Sequence, residues 1–217
     1  MSEYNKILNH YSFKAYWVTS SLSEEEWENT GLAEKYLEKY WLSDSEYLQK
    51  WYPKQKLIFN DQANGLPDIM FQNNYKILVT RGGSLFIKED FVQLQHCMNY
   101  IKDDYFVVIE DRSLDGELPP IKMKFPSTIS WDKLLDRNFM ASFLVEGLFS
   151  SYFVFGDSGE WGIYSDNEYI WPMHIIGVKC NHLSLFHNFF RELEQDFAEV
   201  KDDWLPNSYQ YLIENIF

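Results

Sequence analysis

Residue types that do chemistry fall in three places along this chain. The first is Gly156-Asp157-Ser158-Gly159-Glu160, where a serine and two carboxylates sit among glycines. A phosphate-binding loop needs GxxxxGK[ST] and its lysine, and a hydrolase elbow needs GxSxG; neither pattern is met. The histidine and aspartate that a serine nucleophile requires have no recognisable context. Ser158 therefore reads as a turn residue, with Gly156 and Gly159 removing the Cβ penalty of a tight hairpin. The second place is Cys180-x-His182-x4-His187, with His174 nearby. Zinc sites take four ligands in paired spacings, and no HExxH, CxxC or EF-hand loop supplies the rest, so packing and capping roles are expected, with no metal and no other cofactor. The third is acidic: Glu110 and Asp111, with Asp103 and Asp104 before them and Asp115 and Glu117 after. Such carboxylates suit a glycosidase pair or a magnesium site, but acidic proteins offer many pairs whose separation the sequence does not fix. A solvated loop is the expectation there.

The elements that must position these groups alternate between helix and strand. Ser23-Glu24-Glu25-Glu26 offers a helix start, and Leu32, Tyr36, Leu37 and Tyr40 recur at helical spacing up to about Leu42. A short helix over Ser45–Tyr52 should end at Pro53. The stretch from Lys56 to Phe71 holds a possible strand, then turn chemistry at Asn64-Gly65 and Pro67. Tyr75–Thr80 and Tyr105–Ile109 read as buried strands, with a helix over Lys88–Lys102 between them. A further strand is expected at Ile121–Phe125, and a capped helix at Trp131–Leu135 leading into Phe139–Leu148. The last strands fall at Tyr152–Phe155, Trp161–Tyr164 and Ile175–Lys179. A long helix from Leu185 to Val200, closed by Pro206, and a short one over Tyr209–Phe217 complete the chain. Strands joined partly by short turns and partly through helices predict an α+β fold: one domain over residues 1–217, its mixed or mainly antiparallel sheet packed with helices.

Composition narrows the function. With 217 residues, 46% of them hydrophobic and including 17 Phe, 15 Tyr and 8 Trp, a large core needs no disulfide or metal staple. Only Cys97 and Cys180 are present, far apart in sequence, and two buried free thiols in a reducing cytoplasm are expected. The start of the chain lacks a basic region followed by an apolar core, and no run reaches membrane-span length, which predicts a cytoplasmic protein without a membrane partner. A formal net charge of −14 argues against nucleic acid, whose phosphates require a basic footprint, and favours a basic partner drawn in by long-range attraction.

Between Arg137 and Lys179 there is no lysine or arginine, while Glu146, Asp157, Glu160, Asp166 and Glu168 are all negative. The runs Ser130-Trp131-Asp132-Lys133-Leu134-Leu135, Tyr152 to Tyr164, and Ile175-Ile176-Gly177 resemble the C-terminal half of immunity proteins from bacterial polymorphic toxin systems, over roughly residues 130–180. The resemblance implies an acidic, cytoplasmic, non-enzymatic protein that binds a cognate toxin domain and occludes it. The turn projects Asp157 and Glu160 into solvent, and Trp161 at the start of the next strand is either a core residue or an interface anchor beside them; as candidate contacts they are joined by Asp166 and Glu168. Glu110, Asp111, Asp115 and Glu117 form a second patch if the fold unites the two. The alternatives are a metal-assisted hydrolase using clustered carboxylates with His182 or His187, and an adaptor protein without a toxin partner.

Overall fold

The computed structural model describes residues 30–81, 86–111, 118–135, 151–166, 173–189 and 206–209. Within them the protein is a single α+β domain built on one six-stranded antiparallel sheet. In chain order the elements are α1 (Thr30–Tyr40), α2 (Asp44–Glu46), a π-turn (Tyr47–Trp51), α3 (Tyr52–Ile58), β1 (Tyr75–Arg81), α4 (Lys88–Ile101), β2 (Tyr105–Asp111), β3 (Lys122–Pro126), α5 (Trp131–Leu135), β4 (Ser151–Gly156), β5 (Trp161–Asp166), β6 (Met173–Lys179), a 3-10 turn (Cys180–His182) and α6 (Leu183–Phe189). The strands lie in the order β1-β6-β5-β4-β2-β3, so β4, β5 and β6 form a meander flanked by β1 on one side and by β2 and β3 on the other.

Every residue of β4 and β5 is buried. Near-continuous apolar runs such as Tyr152-Phe153-Val154-Phe155 are what a strand covered on both sides requires, in place of the apolar-polar alternation of a half-solvated sheet. On one face Val108, Val154, Ile163 and Ile176 meet Phe91, Leu94 and Met98 of α4, Tyr36 and Leu37 of α1, and Phe186 of α6. On the other, Val107, Ile109, Phe153, Phe155 and Ile175 meet Tyr47, Trp51, Ile58, Phe59 and Phe71. Outside β3, Trp41 bridges Met123 and the Leu42 amide donates to the Lys122 carbonyl, which occupies part of that edge.

Three expectations are corrected here. Pro53 does not stop the second helix. The Tyr52 amide donates to the Tyr47 carbonyl, a π-type turn that lets Tyr47 and Trp51 both face inward, and Pro53 then falls in the first turn of α3, where its missing N–H is not needed. The possible strand after Lys56 is instead the end of α3, followed by a single antiparallel bridge between Phe59 and Phe71. The thiols also differ from the expected buried pair. Cys97 is buried, and burial pushes its thiol up to about 12, whereas Cys180 is exposed. The expected elements over Phe139–Leu148 and most of the C-terminal helices lie outside the described residues.

Phe59 and Phe71 rest in a trough made by two glycines. Gly162 and Gly177 are cross-strand partners on β5 and β6, and the rings lie where side chains would otherwise stand. A Cβ on Gly177 would come within 2.1 Å of the Phe71 ring, and one on Gly162 within 2.7 Å of Phe59. Gly177→Ala should therefore lower stability by about 1–3 kcal/mol, the usual effect of overpacking, read as a fall in the urea midpoint at unchanged slope.

Candidate functional site

The β4–β5 hairpin turn, residues 157–160, confirms the turn reading of the GDSG segment. Its anchor is Asp103, which follows α4. Lys102 ends that helix in the left-handed region at φ 68°, and the Asp103 amide returns to the Met98 carbonyl. The chain is thereby turned so that the Asp103 side chain lies under the hairpin. Its Oδ2 accepts from Trp161 Nε1 at 2.7 Å, and its Oδ1 accepts from the Ser158 amide at 2.6 Å. Gly156 makes room, since a Cβ there would come within 2.3 Å of the carboxylate. Asp103 is only 4% exposed. Burial holds its carboxyl above the ordinary range, with the Asp157 carboxyl pushing the same way and the bonds from Trp161 and Ser158 opposing.

The remaining hairpin groups are engaged as well. Asp157 accepts from the amides of Asp104, at 3.0 Å, and Tyr105, at 3.4 Å, so its carboxylate ties the turn to the start of β2. Lys54 donates to the Asp157 carbonyl, and Tyr75 Oη donates to the Gly159 carbonyl at 2.6 Å. Ser158 Oγ accepts from the Glu160 amide at 3.3 Å, a turn-closing bond rather than part of a triad. Glu160 approaches His182 at 3.5 Å and keeps a third of its side chain in solvent.

The expected contact residues therefore divide. Trp161 is fully buried and bonded to Asp103: it is a core residue and not an exposed anchor. Asp157 is half-buried and braces the turn, leaving Glu160 as the partly solvated carboxylate of the hairpin. Asp166, Glu110 and Asp111 lie at the opposite end of the sheet, about 17 Å away at the usual rise per strand residue. The fold thus keeps Asp157 and Glu160 apart from Glu110 and Asp111, and brings Asp166 to the end where Glu110 and Asp111 lie. Asp166 and Glu110 are 3% and 2% exposed, which removes both from the surface. Glu168, Asp115 and Glu117 lie outside the described residues.

At that far end polar groups collect on both faces. Adjacent strand residues point to opposite sides, so Glu110 and Asp111 are separated by the sheet and make no carboxylate pair. Asp111 shares its face with Tyr164, whose hydroxyl donates to Asp111 Oδ2 at 3.0 Å, and with Asp166, to which Ser151 Oγ donates at 3.5 Å. Burial, reinforced by Asp111 and Asp166, drives the Tyr164 hydroxyl far above its ordinary value, which keeps it a donor. On the other face Glu110 is in register with Tyr152, Tyr152 with Ser165, and Ser165 with His174. Sequence reasoning placed Asp103 only among the carboxylates of a solvated loop and missed Ser165 and Tyr152. Asp103 owes its role to the turn that ends α4, and the other two to strand register, which the spacing along one strand does not reveal.

Among the described residues no group of three or more His, Cys, Asp or Glu side chains is placed to hold a metal ion, and no helix is long and apolar enough to cross a membrane. Comparison with protein-family models, with curated proteins and with solved structures found no match to this chain.

Two expected outcomes follow from Asp103. Trp161→Ala should lower stability by about 3–5 kcal/mol, as for other buried tryptophans, and the loss should appear in melting without any partner present. The second concerns pH. A carboxyl whose folded value lies above its unfolded value of about 3.9 contributes stability that is complete at acid pH and is lost as pH rises through that window. Asp103→Asn does not titrate, so the advantage of the native protein over this variant should shrink as pH rises above the ordinary carboxylate range of about 4. Urea midpoints measured across that range check the sign, and an advantage that grows with pH would contradict it.

Proposed function

We propose that this protein acts by binding and not by catalysis, as an immunity protein that neutralises a basic toxin domain by direct occlusion. The observation that carries the reading is the distribution of its charge. The chain has a formal net charge of −14, yet carboxylates and lysines nearly balance among the described side chains. Much of the excess belongs to two short stretches of sequence, one holding Glu24, Glu25, Glu26 and Glu28 and the other Glu192, Glu194, Asp196, Glu199, Asp202 and Asp203. A surplus of this size speeds encounter with a cationic protein and opposes binding to nucleic acid or an anionic membrane. The two-sided sheet then serves as the frame. Recognition on this reading rests on Glu160 at the hairpin and on carboxylates that the sequence supplies elsewhere, Asp115, Glu117, Glu168 and those of the two acidic stretches.

Co-purification with the product of the adjacent gene tests the reading, because an immunity protein is encoded beside its toxin. Stable capture is expected, with an association rate that falls steeply as salt is raised, since exposed charges act mainly on encounter. Neutralising Glu192, Glu194, Asp196 and Glu199 together to Gln and Asn should slow association by about tenfold or more while dissociation changes little. Absence of capture, or association that is indifferent to salt, would remove this function.

A further inference from the structure

The connection between α3 and β1 is held in two different ways. Its base is seated in the core: Phe59 and Phe71 form their bridge over the glycine trough at 3% and 2% exposure, and beside them the Asn60 amide donates to the Met70 carbonyl at 2.8 Å and the Gln72 amide to the Ile58 carbonyl at 3.0 Å. Residues 61–69 between them close on themselves in the manner of an Ω-loop. The Ala63 amide donates to the Asn60 carbonyl, the Asp68 amide to the Gly65 carbonyl, and the Asn64 amide to Asp68 Oδ2 at 3.0 Å, so the span carries its own bonds with it. It contributes little to the core. Ala63 and Leu66 are only partly buried, and Asp61, Gln62, Asn64, Pro67, Asp68 and Ile69 are exposed.

Under this span lies the Tyr164 hydroxyl. A Cβ on Gly65 would stand 3.3 Å from Tyr164 Oη, and Gly65 holds φ at 86°, in the left-handed region that glycine adopts without strain. Tyr164 is 1% exposed, although the Asp111 it bonds is only half-buried.

Among the described residues, the hydrogen bonds that fasten the span from outside come from the far end of the chain. Ser208 Oγ donates to the Pro67 carbonyl at 2.7 Å. Tyr209 Oη donates to the Asp68 carbonyl at 2.8 Å and accepts from the Met70 amide at 2.7 Å, from a ring that is fully buried. The ion pair of Lys56 with Asp61, 3.6 Å apart and exposed on both sides, is of a kind that contributes little. Lifting residues 61–69 uncovers little apolar area, so the bonds from Ser208 and Tyr209 decide whether the span stays down.

We infer that Ser208 and Tyr209 are a latch: while they are engaged the loop of residues 61–69 is closed over the Tyr164 hydroxyl, and when they let go the loop lifts as a body, with Phe59 and Phe71 still seated. The latch concerns the unbound protein and does not depend on the proposed toxin partner.

Hydrogen exchange and thiol labelling in native buffer test it. In the unaltered protein the Met70 amide, whose partner is the latch hydroxyl, should be protected about tenfold or more below the Val154 amide of the central strand, because release of the latch is local. Ser208→Ala removes a bond to Pro67 and none to Met70, yet it should lower Met70 protection several-fold while leaving Val154 unchanged, since span and latch open together. For the span itself, Leu66→Cys in a Cys180→Ser background supplies a partly buried thiol, and buried Cys97 reports global unfolding in the same molecule. Adding Tyr209→Phe keeps the ring but leaves the Met70 amide without its partner, and should speed labelling at position 66 by about tenfold with Cys97 unchanged. Met70 protected as well as Val154 would overturn the inference. So would labelling at position 66 that Tyr209→Phe leaves unchanged, or that rises only in step with Cys97. If Tyr209→Phe does not fold, the Met70 response to Ser208→Ala decides, and no response there sinks the latch.

Discussion

Covering a six-stranded sheet on both faces leaves its central strands no route to water, and the rest of the structure follows from that constraint. Most side chains of β4 and β5 are apolar or have their polar atoms bonded, with Ser165 Oγ the exception, because an unpaired polar group in such a place costs as much as several good contacts return. At the hairpin end the solution is Asp103, which takes both the Trp161 ring nitrogen and the Ser158 amide. At the other end it is Tyr164 with Asp111 and Ser151 with Asp166. The same crowding explains the paired glycines of β5 and β6, since two aromatic rings from the covering loop occupy the space of the absent side chains.

How charge is used here differs from how much charge there is. Asp103 and Asp157 both belong to an acidic-looking segment, yet one is a buried hydrogen-bond acceptor and the other braces a turn against β2. Lys122 is likewise nearly buried and held by Asp44 at 2.7 Å and the Pro119 carbonyl. Such groups contribute to the net charge and therefore to long-range attraction, while being unable to touch a partner. On the proposed function, steering and contact would fall to different carboxylates.

The strands were legible because doubly buried strands have to be written as apolar runs, and those at Tyr75, Tyr105, Tyr152 and Ile175 appear within a residue or two of their places. The helix over Lys88–Ile101 announced itself by its period. What a linear reading misplaced depended on geometry across strands or on unusual helix turns. Trp161 beside two acids suggests an interface, and only Asp103 coming from beneath makes it core. Pro53 suggests a stop, and only the π-turn before it shows why the helix continues. The far-end polar row combines Thr80, Ser165 and Glu110, which are separated by dozens of residues and become neighbours through register alone.

The strand order also governs how the chain matures. β1 ends at Arg81, and its partner β6 begins at Met173; β2 finds β4 only after Ser151. During synthesis β1, β2 and β3 therefore emerge before their long-range neighbours exist, and among the described strands the local β2–β3 pair is the one that can form at that point. Contacts of such sequence separation form late and slowly. Until the meander is complete, the apolar edges of β1 and β2 are open to any other strand nearby, which makes the nascent chain dependent on protection from aggregation in a way the finished, two-sided sheet is not.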